Sequence, residues 1–236
     1  MKIPHLWVRG FEGPSGVSEG QEIAVDSNSD VVIGGYFTAD CDFNPAGGGL
    51  VYNSSVGRDG FIVKLTSTGS FVWARHLVGD NDNRVNTLSI GAADQIVVGG
   101  FFSGQLDFDQ FNPGITVETT GTGPDIFAAQ YDVNGMNEWA VSTGGAGTNM
   151  VNRLSVNDNG DIFLTGQFAN TVDFDPGAGT ANETATNNES YLWSLDGSGV
   201  FNWVQRIGGS GQDLGLGVTN GPDGSVYATG YFNTTA

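Results

Sequence analysis

Five aspartates beside phenylalanine are the residues of this sequence best suited to hold a metal ion. They are Asp42, Asp107, Asp109, Asp173 and Asp175. Calcium takes about six to eight oxygen ligands, and the Asp-Phe-Asp spacing puts two carboxylates on the same side of an extended chain. The same residues also fit Asx turns that end a strand, with the phenylalanine as an anchor. Both interpretations stay open. The turn is favoured because the second aspartate of the Asp-Phe-Asp pattern is not constant: Asn44 stands in its place after Asp42 and Phe43.

Groups for catalysis are scarce in this chain. Its two histidines, His5 and His76, have no serine or cysteine motif beside them, and Cys41 is the single cysteine. A lone cysteine allows no intrachain disulfide and, without a histidine near it, is no candidate nucleophile. Carboxylate pairs about 5 to 10 Å apart hydrolyse glycosides, but 26 acidic residues place such pairs together by chance. We therefore expect a protein that is not an enzyme, with polysaccharide breakdown as a remaining alternative.

The net charge excludes one large class of partners. The chain has 236 residues, with 8 Lys and Arg against 26 Asp and Glu, which gives a formal charge of −18 at pH 7. Such a chain repels phosphate, so we expect no nucleic-acid partner. Its apolar runs are too short for a helix that spans a membrane, so we expect no membrane insertion. An aromatic content of 11 % argues against a disordered acidic tail and for a folded domain.

Three residue types recur along the chain at nearly constant spacing. The tryptophans stand 66, 66 and 64 positions apart, at Trp7, Trp73, Trp139 and Trp203. Glycines keep the same step at Gly35, Gly100, Gly166 and Gly230. Phenylalanines follow two places later, at Phe37, Phe102, Phe168 and Phe232. The chain is therefore built of repeats of about 65 residues.

Apolar residues alternate with a period of two within each repeat, which is typical of β-strands. Four such strand patterns recur, and turns rich in Asp, Asn and Gly join the first to the second and the third to the fourth. Four-stranded antiparallel units that repeat around an axis are the blades of a β-propeller. We therefore predict an all-β propeller in which about four blades are represented and the terminal one is incomplete.

The predicted repeats make one propeller, or one propeller segment, of residues 1–236. Residues 1–20 hold the outer strand of a shared blade and a loop. Complete blades follow at 21–79, 80–145 and 146–209, and residues 210–236 hold the first two strands of a fourth blade. The third strand of the shared blade is missing, which leaves a sheet edge open to pairing. We expect further propeller repeats, or a second copy of the chain, to complete that blade.

A tryptophan at a fixed strand position of every repeat predicts packing between blades, because aromatic side chains supply much of the buried surface of a core. Stacking of sugar rings on these indoles is the alternative. The repeated glycines inside the second strand predict places where neighbouring backbones come close together. The phenylalanines that recur two residues after these glycines are likewise expected to have a structural role in each repeat.

Two stretches of the chain carry a resemblance to a known repeat family. Residues 160–179 and residues 59–75 resemble the bacterial SBBP-type β-propeller repeat, which is related to the NHL repeat. The resemblance implies a secreted or surface-exposed bacterial protein, often a large multidomain one. It implies no catalytic activity, and propellers serve many functions.

The face with the long loops is the predicted working surface. About 21 to 23 positions separate the second strand from the third in each repeat, where hairpins need about two to five. Long polar inserts on one face are where repeat proteins bind their ligands, and we expect these inserts to protrude as hairpins. We predict a non-catalytic extracellular scaffold or recognition module that binds a protein or a glycan. We expect no cofactor, and the sequence does not indicate which residues bind the ligand. A propeller that binds its ligand through calcium is the alternative.

Overall fold

The computed structural model describes residues 7–111 and 115–233. Every regular element in these residues is a β-strand, and neighbouring strands in each sheet run antiparallel. The prediction of an all-β, propeller-like fold is confirmed. None of the described residues forms a helix long and apolar enough to cross a membrane.

The strands follow one another in the order of the repeats. The first repeat contains β1 (Ser18–Val25), β2 (Val31–Asp42), β3 (Val51–Leu65) and β4 (Phe71–Gly79). The second contains β5 (Asn83–Ile90), β6 (Ile96–Phe102), β7 (Gln105–Asp107), β8 (Thr116–Glu118), β9 (Asp125–Tyr131) and β10 (Asn137–Thr143). The third contains β11 (Met150–Val156), β12 (Ile162–Phe168), β13 (Thr171–Asp173), β14 (Asn182–Thr184), β15 (Glu189–Leu195) and β16 (Phe201–Ile207). The chain continues with β17 (Asp213–Asn220) and β18 (Val226–Phe232).

Three four-stranded blades form in this way, in the orders β1-β2-β3-β4, β5-β6-β9-β10 and β11-β12-β15-β16. We call the strands of a blade, in these orders, the inner, second, third and outer strand. The fourth blade has only its inner strand β17 and its second strand β18 in the described residues. The short hairpins β7–β8 and β13–β14 lie in the inserts between the second and third strands, whereas in the first blade β2 and β3 themselves extend into the insert.

The described residues 7–17 do not form the outer strand predicted around Trp7. Residues 7–17 contain no named strand and one isolated bridge, between Glu12 and Asp42. An outer strand needs a third strand to pair with, and the described residues place none beside this segment. Side chains attach the segment to the first blade instead, because the Trp7 indole N–H donates to the Ser67 carbonyl at 2.9 Å. Residues 1–6 lie outside the described part of the chain.

A β-bulge interrupts the inner strand of every blade at the same place. The register shifts between Gly20 and Glu22 of β1, and equivalent shifts occur in β5, β11 and β17. Beside each bulge the second strand carries one of the repeated glycines: Gly35, Gly100, Gly166 and Gly230. A Cβ at any of these glycines would overlap a main-chain carbonyl of the inner strand. Only glycine therefore lets the two backbones approach this closely.

Tryptophans attach one blade to the turn that follows the third strand of the next blade. The Trp73 indole N–H donates to the Val133 carbonyl at 3.1 Å. A Cβ at Gly135, where φ is +77°, would lie 2.9 Å from the same indole. The same two contacts join Trp7 to Ser67 and Gly69, and Trp139 to Gly197 and Gly199. Among the described residues no such turn lies beside Trp203, which is 39 % exposed.

The core lies between the blades. One cluster of buried side chains joins Val32 of the first blade to Val98 of the second, and another joins Val97 of the second blade to Leu164 of the third. Each central sheet therefore buries apolar side chains on both faces, which is the arrangement expected where neighbouring blades stack.

Truncation of the interblade tryptophans should destabilise the fold according to their surroundings. We expect Trp73→Ala to lower the free energy of unfolding by about 3 to 5 kcal/mol, because it removes a buried ring and leaves a cavity between blades. The matched change Trp203→Ala should cost less than about 1 kcal/mol, because no turn covers this ring. Denaturant unfolding of the two variants measures both values, and equal losses would contradict the interblade role of Trp73.

Candidate functional site: an axial pocket

The four inner strands meet around one small pocket. The bulge residues Gln21, Asn86, Asn152 and Leu216 line it together with Arg153, and its volume is about 210 Å³. The four bulge residues occupy equivalent positions, 65, 66 and 64 residues apart. A bulge re-aims a side chain that would otherwise follow the alternation of its strand. The same local distortion in every inner strand therefore builds an axial pocket from one residue of each blade.

Amide side chains of the pocket also hold adjacent inner strands together. The Asn86 Nδ2 group donates to the Val151 carbonyl and the Asn152 Nδ2 group to the Gly215 carbonyl, both at 2.8 Å. No described residue donates a hydrogen bond to the Oδ1 atom of either asparagine, so both atoms remain able to accept one. Leu216 occupies the equivalent position in β17 and has no amide to continue the series.

One ion pair beside the pocket links two inner strands. Arg153 Nε of β11 lies 3.6 Å from Glu22 Oε2 of β1, and the two side chains are 46 % and 28 % exposed. The strands β1 and β11 belong to the first and third blades, so the pair spans the second blade. The pocket therefore offers amide groups and one solvated ion pair, which suits hydrogen bonding to a polar ligand.

The pocket residues are not among the site residues predicted from the sequence. A signal was present, because an amide side chain recurs at Gln21, Asn86 and Asn152 with the spacing of the repeat. A polar side chain in an inner strand fits the alternation of a strand equally well, and only the register of the folded sheet reveals the bulge.

The inserts form hairpins, as expected, but in the second and third repeats these hairpins lie against the preceding blade and do not protrude freely. Strand β7 pairs with β4, where Val78 lies opposite Asp107. At the equivalent place in the next repeat the Thr143 hydroxyl donates to the Asp173 carbonyl. The buried aromatic anchors of the three inserts are Phe43, Phe108 and Phe174. Burial of these rings gives the inserts an apolar layer of their own, which holds them against the blades.

The insert aspartates use their carboxylate oxygens to form turns. Asp173 Oδ1 accepts hydrogen bonds from the main-chain N–H groups of Asp175, at 3.1 Å, and Ala181, at 2.7 Å. Asp42 Oδ1 accepts two main-chain N–H groups in the same way, each at 2.8 Å. Asp107 Oδ1 accepts the N–H of the residue two places on, at 2.9 Å. These geometries are Asx turns that close the insert hairpins.

The second aspartate of each pair forms a further turn of its own. Asp109 Oδ1 accepts the Phe111 N–H at 3.1 Å, and Asp175 Oδ1 accepts the Gly177 N–H at 2.8 Å. Within residues 7–111 and 115–233, no three Asp, Glu, His or Cys side chains come together as a metal site would require. The structure thus distributes the five predicted metal ligands over the turns of three inserts, with Asp42 in the first, Asp107 and Asp109 in the second, and Asp173 and Asp175 in the third.

Equivalent acidic residues of the third strands, Asp59, Asp125 and Glu189, are buried in polar networks. Asp59 accepts hydrogen bonds from Asn83 Nδ2 at 2.8 Å and shares a 2.7 Å hydrogen bond with His76 Nε2. Since Asn83 begins the inner strand of the next blade, the network joins two blades. The equivalent acid Asp125 is fully buried, and this burial raises the pKa of its carboxyl group. His76 is 7 % exposed and holds a structural contact, away from the pocket.

Comparisons with known proteins agree with this architecture. No family model matches the chain. A similar protein is an uncharacterized WD repeat-containing protein of Acanthamoeba polyphaga mimivirus, which is 21 % identical to this chain. The similarity covers 97 % of this chain and 19 % of the viral protein, so the chain spans about a fifth of that protein's length. WD repeats form four-stranded propeller blades, and the chain is accordingly a β-propeller-like repeat protein.

The turn geometry of the inserts predicts that calcium does not stabilise the fold. We expect the same melting temperature in calcium and in EDTA. Asp173→Asn keeps one acceptor oxygen and should stay close to the unaltered protein, whereas Asp173→Ala leaves two N–H groups without a partner and should cost about 1 to 3 kcal/mol. Thermal unfolding of the three proteins with and without calcium measures this. A melting temperature that rises with calcium, and loses that rise in Asp173→Asn, would support the metal site instead.

Burial makes the single thiol unreactive in the native protein. Cys41 is 2 % exposed, and desolvation raises the pKa of its thiol to about 11. Because a raised pKa lowers the thiolate fraction at pH 8, we expect Ellman's reagent to react more than about a hundred-fold more slowly with the folded than with the urea-unfolded chain. Absorbance stopped-flow measures both rates. Rapid labelling of the folded protein at pH 8 would contradict the burial of this residue.

Proposed function

We propose that this chain is a non-catalytic recognition module or scaffold, a β-propeller of the bacterial SBBP type that works outside the cell. Its ligand is a protein or a glycan, bound on the insert-bearing face at the mouth of the axial pocket. The observation that carries the proposal is the pocket itself, to which all four inner strands contribute the side chain of an equivalent bulge. Ligands of repeat proteins bind where the repeats present such equivalent positions together.

Binding fits the chemistry of this surface better than catalysis does. The insert aspartates satisfy turn N–H groups, and His76 and Cys41 are buried. A catalytic acid, base or nucleophile must reach its substrate, and these groups do not reach the axial pocket. An enzyme of polysaccharide breakdown is therefore the less favoured alternative.

The size and polarity of the pocket limit what it binds. A volume of about 210 Å³ lies below the roughly 300 to 1,000 Å³ of pockets for drug-sized ligands. It suits one sugar ring, or one polar side chain of a partner protein, with the rest of the ligand on the surrounding inserts. The net charge of −18 disfavours anionic ligands, so the ligand is neutral or basic.

Work outside the cell fits the composition and the resemblance to SBBP repeats. Only 8 residues are Lys or Arg, and the one thiol is covered by the first blade. Treatment of intact source cells with protease tests the location. Digestion without cell lysis supports the proposal, and protection until lysis contradicts it.

A ligand screen with matched variants tests the binding surface. The intact chain is screened against neutral oligosaccharides and a displayed peptide library, and the best ligand is titrated against Gln21→Ala and Gln205→Ala. We expect the pocket variant to weaken binding by about ten-fold, since it removes one or two hydrogen bonds. Gln205→Ala changes an exposed side chain of the outer strand β16 and should leave affinity unaltered. Equal affinities of the two variants, or release of reducing sugar from a polysaccharide, would overturn the proposal.

A further inference from the structure

Three amide side chains of the axial pocket use their nitrogen atoms for contacts within the protein. The Nδ2 groups of Asn86 and Asn152 donate to carbonyls of the neighbouring inner strands, both at 2.8 Å. Gln21 Nε2 donates to Glu19 Oε1 of its own strand at 2.7 Å. These bonds orient each amide, because they tell its nitrogen end from its oxygen end. The oxygen is then the end of each amide that is left for a ligand.

The oxygen atoms of the same three amides have no partner within the protein. In residues 7–111 and 115–233, no N–H or O–H group donates to Asn86 Oδ1, Asn152 Oδ1 or Gln21 Oε1, and none of these atoms is sealed from solvent. An amide oxygen has two lone pairs that accept hydrogen bonds. The pocket therefore presents one free acceptor from each of the three complete blades.

The charged groups beside the pocket leave these oxygens free. Arg153 Nε lies 3.6 Å from Glu22 Oε2, and Arg153 Nη1 donates to the main-chain carbonyl of Asn152 at 2.9 Å. The guanidinium group thus bonds a carboxylate and the main chain, and no amide oxygen of the pocket. Leu216 adds an apolar wall to the same pocket. A ligand therefore meets acceptors beside an apolar surface.

A primary ammonium group matches this set of acceptors. It carries three N–H donors on one atom and has no acceptor of its own, whereas a hydroxyl group donates a single hydrogen bond. The planar guanidinium group of arginine suits paired oxygens, as in a carboxylate. The formal charge of −18 also attracts a cation to the protein, which a neutral sugar does not gain from.

A metal ion fits the same oxygens less well. Calcium takes about six to eight oxygen ligands, commonly with carboxylates among them. The pocket offers three amide oxygens, and the carboxylate of Glu22 faces Arg153. Across the part of the chain that the structure describes, no three Asp, Glu, His or Cys side chains come together. A volume of about 210 Å³ does suit the end of one lysine side chain.

We propose that the axial pocket binds a primary ammonium group, carried by a lysine side chain of a partner protein. Its three N–H groups donate to the amide oxygens of Gln21, Asn86 and Asn152, and its methylene groups lie along Leu216. This inference rests on the proposed function, because it takes the pocket as the binding site. It goes further in naming the group that enters the pocket and in favouring a protein over a glycan.

Two small cations test the recognition of the ammonium group. Butylammonium reproduces the end of a lysine side chain, and butyltrimethylammonium has the same charge without an N–H donor. Proton–nitrogen correlation NMR of the intact chain at pH 7 follows the side-chain amide signals of Asn86 and Asn152. We expect butylammonium to shift these signals saturably. Butyltrimethylammonium should bind at least about ten-fold more weakly, because it cannot donate hydrogen bonds to the three oxygens.

A matched pair of variants tests the acceptors. Gln21→Met removes one amide oxygen and keeps the length of the side chain, so we expect butylammonium to bind about ten-fold more weakly. The contact that Gln21 loses lies within β1, so the bonds between blades remain. Gln205→Met makes the same change at an exposed position of β16 and should bind butylammonium normally. Equal melting temperatures of the two variants verify that both are folded.

The ligand screen described under the proposed function separates this inference from that function. A peptide ligand that loses affinity when its lysine is replaced by norleucine supports the inference. A lysine-free peptide or a neutral oligosaccharide that shifts the Asn86 and Asn152 signals, where butylammonium does not, overturns the inference alone. So does equal binding of the two cations, or of butylammonium to both variants. If no peptide, sugar or amine shifts these signals, the inference and the proposed function both fail.

Discussion

The central sheets of this protein are apolar on both faces, and neighbouring sheets bury these faces against one another. The faces meet closely, since a Cβ at Gly34 of the first blade would lie 2.7 Å from the Val85 side chain of the second. Two further contacts, one near the propeller axis and one at the outer edge of the blades, hold neighbouring blades at a constant angle. Near the axis the Asn86 amide bonds the next inner strand, and at the outside the Trp73 indole bonds the next turn. The second and third blades are joined by both kinds of contact, through Asn86 near the axis and Trp139 at the outside.

The axial pocket is a consequence of this stacking. A bulge is tolerated in an inner strand because glycine on the second strand admits the displaced carbonyl, as at Gly100 beside Arg84. Repetition of this arrangement puts one redirected side chain per blade at the same height on the axis. The pocket and the contacts between blades therefore use the same residues, and the amide of Asn152 both joins two blades and lines the pocket.

The repeat spacing was enough to predict the blades, because each blade is a local set of hairpins with its own turns. Contacts between repeats were less predictable. The pairing of β7 with β4 joins Asp107 to Val78, and neither residue type indicates a strand of another blade as its partner. The outer strand expected around Trp7 failed for a related reason, since its indole contact was preserved while its ladder had no third strand. Side-chain contacts between blades thus persist where main-chain pairing does not.

The strong negative charge follows from turn chemistry. Asp132 accepts the N–H groups of Asn134 and Met136, and Asp196 accepts those of Ser198 and Val200, so both acids close the turns that the tryptophans contact. Turns lie at the ends of the strands, so these carboxylates lie at the rims of the blades. The strands themselves carry mainly apolar residues. The axial pocket is lined by amides, a leucine and an arginine. Negative charge at the rims of the blades disfavours polyanionic partners, whereas the axial pocket carries amide groups that can form hydrogen bonds with neutral groups.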